Sequence, residues 1–169
     1  MRFLFPFSAF LSLLLSGGIF GFFYAWVCST MWGLDALPPN TAIAAMQAMN
    51  ASVRNAVFAP AFFGTPFVML LTGLLAFRLR ETRSAVWFSL GGLLYFFGGM
   101  MLTMMVNVPM NEALAQISLP LSDADAIAVW TNYSGPWQFW NIVRTLVSGV
   151  ALLCAGLGLW SMRRNPATS

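Results

Sequence analysis

The sequence predicts an all-α integral membrane protein, a four-helix bundle with both termini cytoplasmic, and three observations predict it. Of 169 residues, 59% are hydrophobic and 8% charged, where an ordinary globular chain carries about 25% charged residues. Four windows are long and apolar enough to cross a hydrocarbon core of roughly 30 Å, which takes about 20 residues of helix. The arginines gather at alternate window ends, as the positive-inside rule requires of a chain that crosses back and forth.

The first window runs from Phe3 to Val27. Arg2 before an apolar stretch resembles a signal peptide, but the stretch continues through "GFFYAWVC". No small-residue cleavage site follows, and the side chains before Cys28 are too bulky for a lipoprotein processing site. A first loop, about Ser29 to Asn55, leads to the second window, Ala56 to Phe77. A tight turn carrying Arg78, Arg80 and Arg83 joins it to the third, Ala85 to Val106. A second loop, Asn107 to Phe139, precedes the fourth, which spans residues 140–162. Four helices leave little chain over, so residues 1–169 read as one domain, with short helical segments in the two longer loops.

Charge gives the orientation. The chain has no lysine and no histidine, and Arg2, the Arg78 cluster, Arg163 and Arg164 share the side expected to be cytoplasmic. That makes a bacterial inner (plasma) membrane the expected location. Asp35, Glu112, Asp123 and Asp125 fall on the other side, and Asp35, Asp123 and Asp125 are expected in solvated loops or helix caps, with "SDAD" a reasonable helix start. Scattered juxtamembrane arginines form no contiguous basic face, which excludes nucleic acid as a partner. Membrane lipids and a hydrophobic small molecule are the expected partners, and homo-oligomers stay open.

Arg54 and Arg144 break the pattern by lying on the outer side. In "GPWQFWNIVRTL", Trp137, Trp140, Asn141 and Arg144 stand at i, i+3, i+4 and i+7, one face of a helix that Gly135-Pro136 would start. An arginine one turn inside a membrane helix usually faces the bundle interior and has a partner. The bland alternative is an interfacial belt with a snorkelling arginine. Asn50 and Arg54 stand at i and i+4 ahead of the second window and repeat the theme. Their plainer reading is that Asn50 and Asn55 cap a helix while Arg54 reaches headgroups.

The stretch "VNVPMNEALA" closes the third window. Asn107 and Asn111 are again at i and i+4, and Pro109 between them ends or kinks the helix, freeing a carbonyl that needs a partner. Alternation of the helices brings Asn107, Pro109, Asn111 and Glu112 to the same end as Arg54, Arg144 and the tryptophans. One shared polar pocket is the functional reading; a helix stop at the interface is the structural one.

These phrases, with "AIAAMQAMN" and the "GFFYAWV" of the first window, resemble the anthrone oxygenase family, small four-helix membrane proteins. The likeness covers about Gly21 to Gly149, and its most specific part is Val-Asn-x-Pro-x-Asn together with Trp-x-x-Trp-Asn-x-x-Arg. What the resemblance implies is oxidation of an anthrone to an anthraquinone by molecular oxygen, with no metal or flavin.

The residues are compatible with that chemistry. Without histidine, a two-histidine-one-carboxylate iron site and a histidine-ligated haem or copper centre are excluded. Cys28 and Cys154 read as free thiols at different depths. The methionines of "GGMMLTMM" read as packing, and Gly91, Gly92, Gly98 and Gly99 as sites of close helix contact. A cofactor-free oxygenation needs a hydroxyaromatic deprotonated and its anion held for attack on oxygen. Glu112 is the acid placed to be general base, a role that asks for partial burial. Arg54 and Arg144 would stabilise the anion, Asn107, Asn111 and Asn141 would bond the carbonyl, and Trp137 and Trp140 would stack on the rings. Asn50 and Pro109 would complete the walls. Two other classes stay open: a non-catalytic protein binding a lipid, quinone or other flat hydrophobic ligand, and a structural or accessory membrane protein. A transporter is disfavoured, since one four-helix subunit leaves little room for alternating access.

Overall fold

Apolar runs of this length have one way to satisfy their backbone in a bilayer, which is to bond within a helix. The computed structural model describes residues 3–162, and every long element among them is helical. Helix α1 is Leu4–Asp35, α2 is Pro39–Ser52, α3 is Phe58–Arg78, α4 is Thr82–Ala115 and α5 is Asp123–Met162. All but α2 are long and apolar enough to cross a membrane. Arg2, Arg163 and Arg164, used in the charge argument, lie outside the described residues.

Three of the four spans outrun their expected bounds. Helix α5 has 40 residues, about 60 Å at 1.5 Å per residue, twice the hydrocarbon thickness. Pro109 does not end α4, and Gly135-Pro136 does not start α5; both prolines sit inside continuous helices. At Pro109 the reason is local. A π-helical turn, Thr103–Asn107, resets the register, and Pro109 becomes a first-turn residue of the α-helical stretch Val108–Ala115, where a missing N–H costs little. Helix α1 passes through a similar π turn, Trp26–Thr30, before ending at Asp35. The expected loops are therefore mostly helix.

Close packing holds the spans. Buried Ser8, Ser12 and Ser16 form a small-residue stripe on α1, their hydroxyls returned to backbone carbonyls and Ser12 bonded to Thr72 of α3 at 3.0 Å. A Cβ on Gly91 would stand 2.9 Å from the Cβ of Cys154, and one on Gly98 would meet Val147 at 2.9 Å, so α4 and α5 touch through these glycines. Gly92 meets Leu70 of α3 in the same way, whereas Gly99 faces the ring of Tyr95 one turn back. Cys28 is exposed and Cys154 buried, both free.

Beyond the spans, on the end opposite Arg78, the overhanging helix ends and α2 form a cap with its own core of Met31, Leu34, Ile43, Met46, Leu114, Trp130 and Tyr133. Ser122 and Asp125 cap the start of α5, the hydroxyl donating to the carboxylate at 2.6 Å and accepting the Asp125 N–H at 3.3 Å. Asn40 brackets Leu121 through both amide atoms, and Gln47 donates to the carbonyls of Leu114 and Ile117 at the end of α4. Asp35 is no idle loop acid. It accepts from the Trp130 indole, the Ser134 hydroxyl and the Gln138 amide at 3.0, 2.7 and 2.8 Å, a ladder at i, i+4 and i+8 along α5.

Candidate functional site

Where cap and spans meet, the helices leave a cavity of about 550 Å³, within the range of small-molecule sites, lined by all five helices and the α2–α3 link. Its walls are aromatic: Phe22, Phe23 and Trp26 from α1, Phe58 and Phe62 from α3, and Trp137 from α5. Its polar groups converge from elements far apart in sequence: Asn50, Arg54, Thr103, Asn111, Glu112, Asn141 and Arg144.

Arg144 is the most deeply buried charge among these, 4% exposed. Its guanidinium lies between the rings of Phe23 and Trp137, 4.7 and 5.3 Å from their centroids. One terminal nitrogen donates to the Thr103 hydroxyl at 3.2 Å and the other to the Asn141 carbonyl oxygen at 3.0 Å, while Nε has no partner. Among the described residues no carboxylate stands within ion-pair distance of it. Its charge is supported by ring faces and neutral dipoles alone.

The asparagines divide the work of orientation. Asn141 donates to the Phe23 carbonyl at 3.1 Å, at the point where α1 passes towards its π turn, and so tethers α5 to α1. Asn111 accepts from the Tyr133 hydroxyl at 2.8 Å and the Trp137 indole at 2.9 Å through one oxygen, which fixes the tryptophan at the cavity wall. Asn50 donates to the same Tyr133 hydroxyl at 3.3 Å. Asn50 is therefore no cap for α3; Asn55 is, its side-chain oxygen accepting the N–H groups of Val57 and Phe58.

Glu112 pairs with Arg54 at 3.4 Å, and the side chains are 58% and 59% exposed. The partial burial expected of Glu112 is not observed: near the end of α4 it stands on the exposed rim of the cavity. Three other expected residues do not line the space. Trp140 turns towards Phe139, ring centroids 5.1 Å apart, because in a continuous helix it falls at the edge of the Trp137, Asn141 and Arg144 face. Pro109 is exposed on the outside of α4. Asn107 is 1% exposed behind the wall, with both amide atoms unpartnered.

Residues that sequence reasoning missed include Phe22, Phe23, Trp26, Phe58, Phe62 and Thr103 on the walls and Tyr133 behind them. Thr103 stands at i−4 from Asn107 and Tyr133 at i−4 from Trp137, so helical spacing carried a signal for both. Among the described residues, no group of three or more histidine, cysteine, aspartate or glutamate side chains converges to hold a metal ion.

Fold and site together define a helical protein with four spans, each long and apolar enough to cross a bilayer, and an aromatic cavity of small-molecule size beneath a helical cap. The family model described as anthrone oxygenase matches residues 54–154, and the chain belongs to that family. The match contains Arg54, Asn111, Glu112, Trp137, Asn141 and Arg144, while the α1 wall of the cavity lies before it. No curated protein and no solved structure matches the chain.

Proposed function

We propose that the cavity is the substrate site of a cofactor-independent oxygenase that takes a hydrophobic hydroxyaromatic of the anthrone type and holds it as its anion. The observation that carries this reading is Arg144, a buried cation on a cavity wall with two ring faces around it and, among the described residues, no carboxylate within ion-pair distance. A phenolate or enolate oxygen supplies the missing charge, and its rings lie among Phe23, Phe62 and Trp137. Glu112 at the rim accepts the proton lost by the substrate. The carbanion carbon passes an electron to molecular oxygen and couples with the resulting superoxide to form a carbon-bound peroxide anion, which takes the proton returned by Glu112 to become the hydroperoxide. Loss of water from it leaves the new carbonyl, so one oxygen molecule gives one carbonyl oxygen and one water. The arginine distribution supports an outer-side cavity in a plasma membrane.

The Arg54–Glu112 pair favours a second reading, non-catalytic ligand binding, because it balances the acid already. One experiment separates the two. Purified protein in detergent is mixed with a hydroxyanthrone in air, and oxygen uptake and quinone absorbance are followed. One oxygen consumed per quinone formed, lost in Arg144→Gln, is the expected outcome. Ligand retention with no oxygen uptake above the protein-free rate overturns the oxygenase reading and leaves binding.

A further inference from the structure

A second cavity of about 490 Å³ adjoins the first, between the Gly18–Trp26 stretch of α1 and the end of α2 with the start of α3. The two share Phe22, Trp26, Met49, Val53, Asn55 and Phe58, so one wall separates them or one opening joins them. Their chemistries differ sharply. The first gathers Arg54, Glu112 and Arg144; among the described residues no charged one lines the second, whose side chains are apolar apart from Ser52, Asn55 and the Trp26 indole. Its surface is also small where it meets α1 and α3, at Gly18 and Ala61, and a Cβ on Gly18 would meet nothing within 4 Å. Leu14 and Phe10 are exposed one and two turns before Gly18 on the same face of α1, which sets this annex on an outward, lipid-facing side of that helix.

We propose that the annex holds a hydrocarbon tail of the ligand whose anionic aromatic head occupies the Arg144 cavity. The substrate class is then a membrane-dissolved hydroxyaromatic bearing an alkyl chain, with the chain directed between α1 and α3. This rests on the cavity reading above. A compact ring system needs only the first space, whereas a charge-bearing cavity adjoining an uncharged one across shared wall residues matches the two ends of an amphiphile. In a bilayer the tail is already out of water, so its contribution is fit and orientation rather than transfer from water. Filling the annex must therefore change selectivity between tailed and untailed ligands.

The test compares parent protein and Gly18→Leu in micelles of one detergent, binding para-nonylphenol and para-cresol, read by quenching of tryptophan fluorescence. The leucine enters open space, and the nonylphenol-to-cresol affinity ratio is expected to fall about tenfold, as overpacking of an occupied site does. An unchanged ratio with cresol still bound overturns the tail assignment alone. Absence of binding of either phenol to the parent overturns the head cavity and the tail with it. As a second readout, a phenol with a photoreactive diazirine at the end of its chain is expected to label peptides containing Gly18 or Ala61. Labelling confined to peptides of the outward Phe10 and Leu14 face assigns the annex to bulk lipid and overturns the proposal.

Discussion

Arg144 and Phe23 stack across the α5–α1 interface, guanidinium carbon to ring centroid 4.7 Å, in a position where the arginine is 4% exposed. A cation taken out of water without a counter-ion destabilises the fold, and removing it relieves that cost. Arg144→Met is accordingly expected to keep or raise the thermal midpoint while weakening binding of a phenolate by about a hundredfold, since a charge-assisted hydrogen bond contributes about 1.5–3 kcal/mol. Arg144→Lys is expected to rescue little, because an ammonium cannot stack between Phe23 and Trp137 while bonding both Thr103 and Asn141. Thermal melts beside ligand titrations decide it; a large loss of stability in Arg144→Met would assign the arginine a structural role instead.

Glu112 and Arg54 give the opposite signature. Their contact is exposed on both sides, and pairs of this kind contribute about 0–1 kcal/mol. Glu112→Gln is therefore expected to change the thermal midpoint little and to abolish oxygen uptake with a confirmed substrate. Arg54→Gln, which leaves the carboxylate in place, is expected to retain most turnover. Parental turnover in Glu112→Gln removes the general-base role and leaves the acid as a partner of Arg54.

Asp35 is the point where the cap is fastened to α5. Three donors, from Trp130, Ser134 and Gln138, end on its carboxylate. Asp35→Ala leaves the Trp130 and Ser134 donors unpaired in a mostly buried setting, at a cost of about 1–3 kcal/mol. Hydrogen exchange is expected to rise in α2 and in the first turns of α5, while amides of the membrane spans stay protected. Equal deprotection of cap and spans would mean that the cap is not a separate cooperative unit.

How much of this was legible in the sequence depends on what each residue answers to. The spans were visible because a bilayer demands long apolar runs, and the turn at Arg78, Arg80 and Arg83 was visible because charge cannot enter. The convergence of Arg54, Asn111, Glu112, Trp137, Asn141 and Arg144 on one end followed from helix alternation alone. The helix ends were hidden. Pro109 read as a break because sequence spacing cannot show the π turn Thr103–Asn107, which absorbs the register change, and Gly135-Pro136 read as a helix start although α5 runs through it unbroken. Asp35 looked solvated because its partners sit 95, 99 and 103 residues away. Phe22, Phe23 and Trp26 carried no signal of a wall, since nothing local distinguishes an aromatic facing lipid from one facing a cavity.

Pro66 supplies the sharpest test of the backbone accounting. It lies inside α3 and is buried, so the carbonyl of Phe62, four residues earlier, loses its helical donor. The Tyr95 hydroxyl of α4 donates to that carbonyl at 3.2 Å, deep in the bundle where no water substitutes. Tyr95→Phe removes the donor alone, keeps the ring packed, and is expected to cost about 1–3 kcal/mol through the unsatisfied carbonyl. In a Pro66→Ala background the backbone N–H restored at that position bonds the Phe62 carbonyl again, and the same Tyr95→Phe change is expected to cost less than half as much. A double-mutant cycle on thermal or denaturant stability measures the difference directly. Additive effects of the two substitutions would show that Tyr95 stabilises the bundle through ring packing rather than by replacing the hydrogen bond that proline removes.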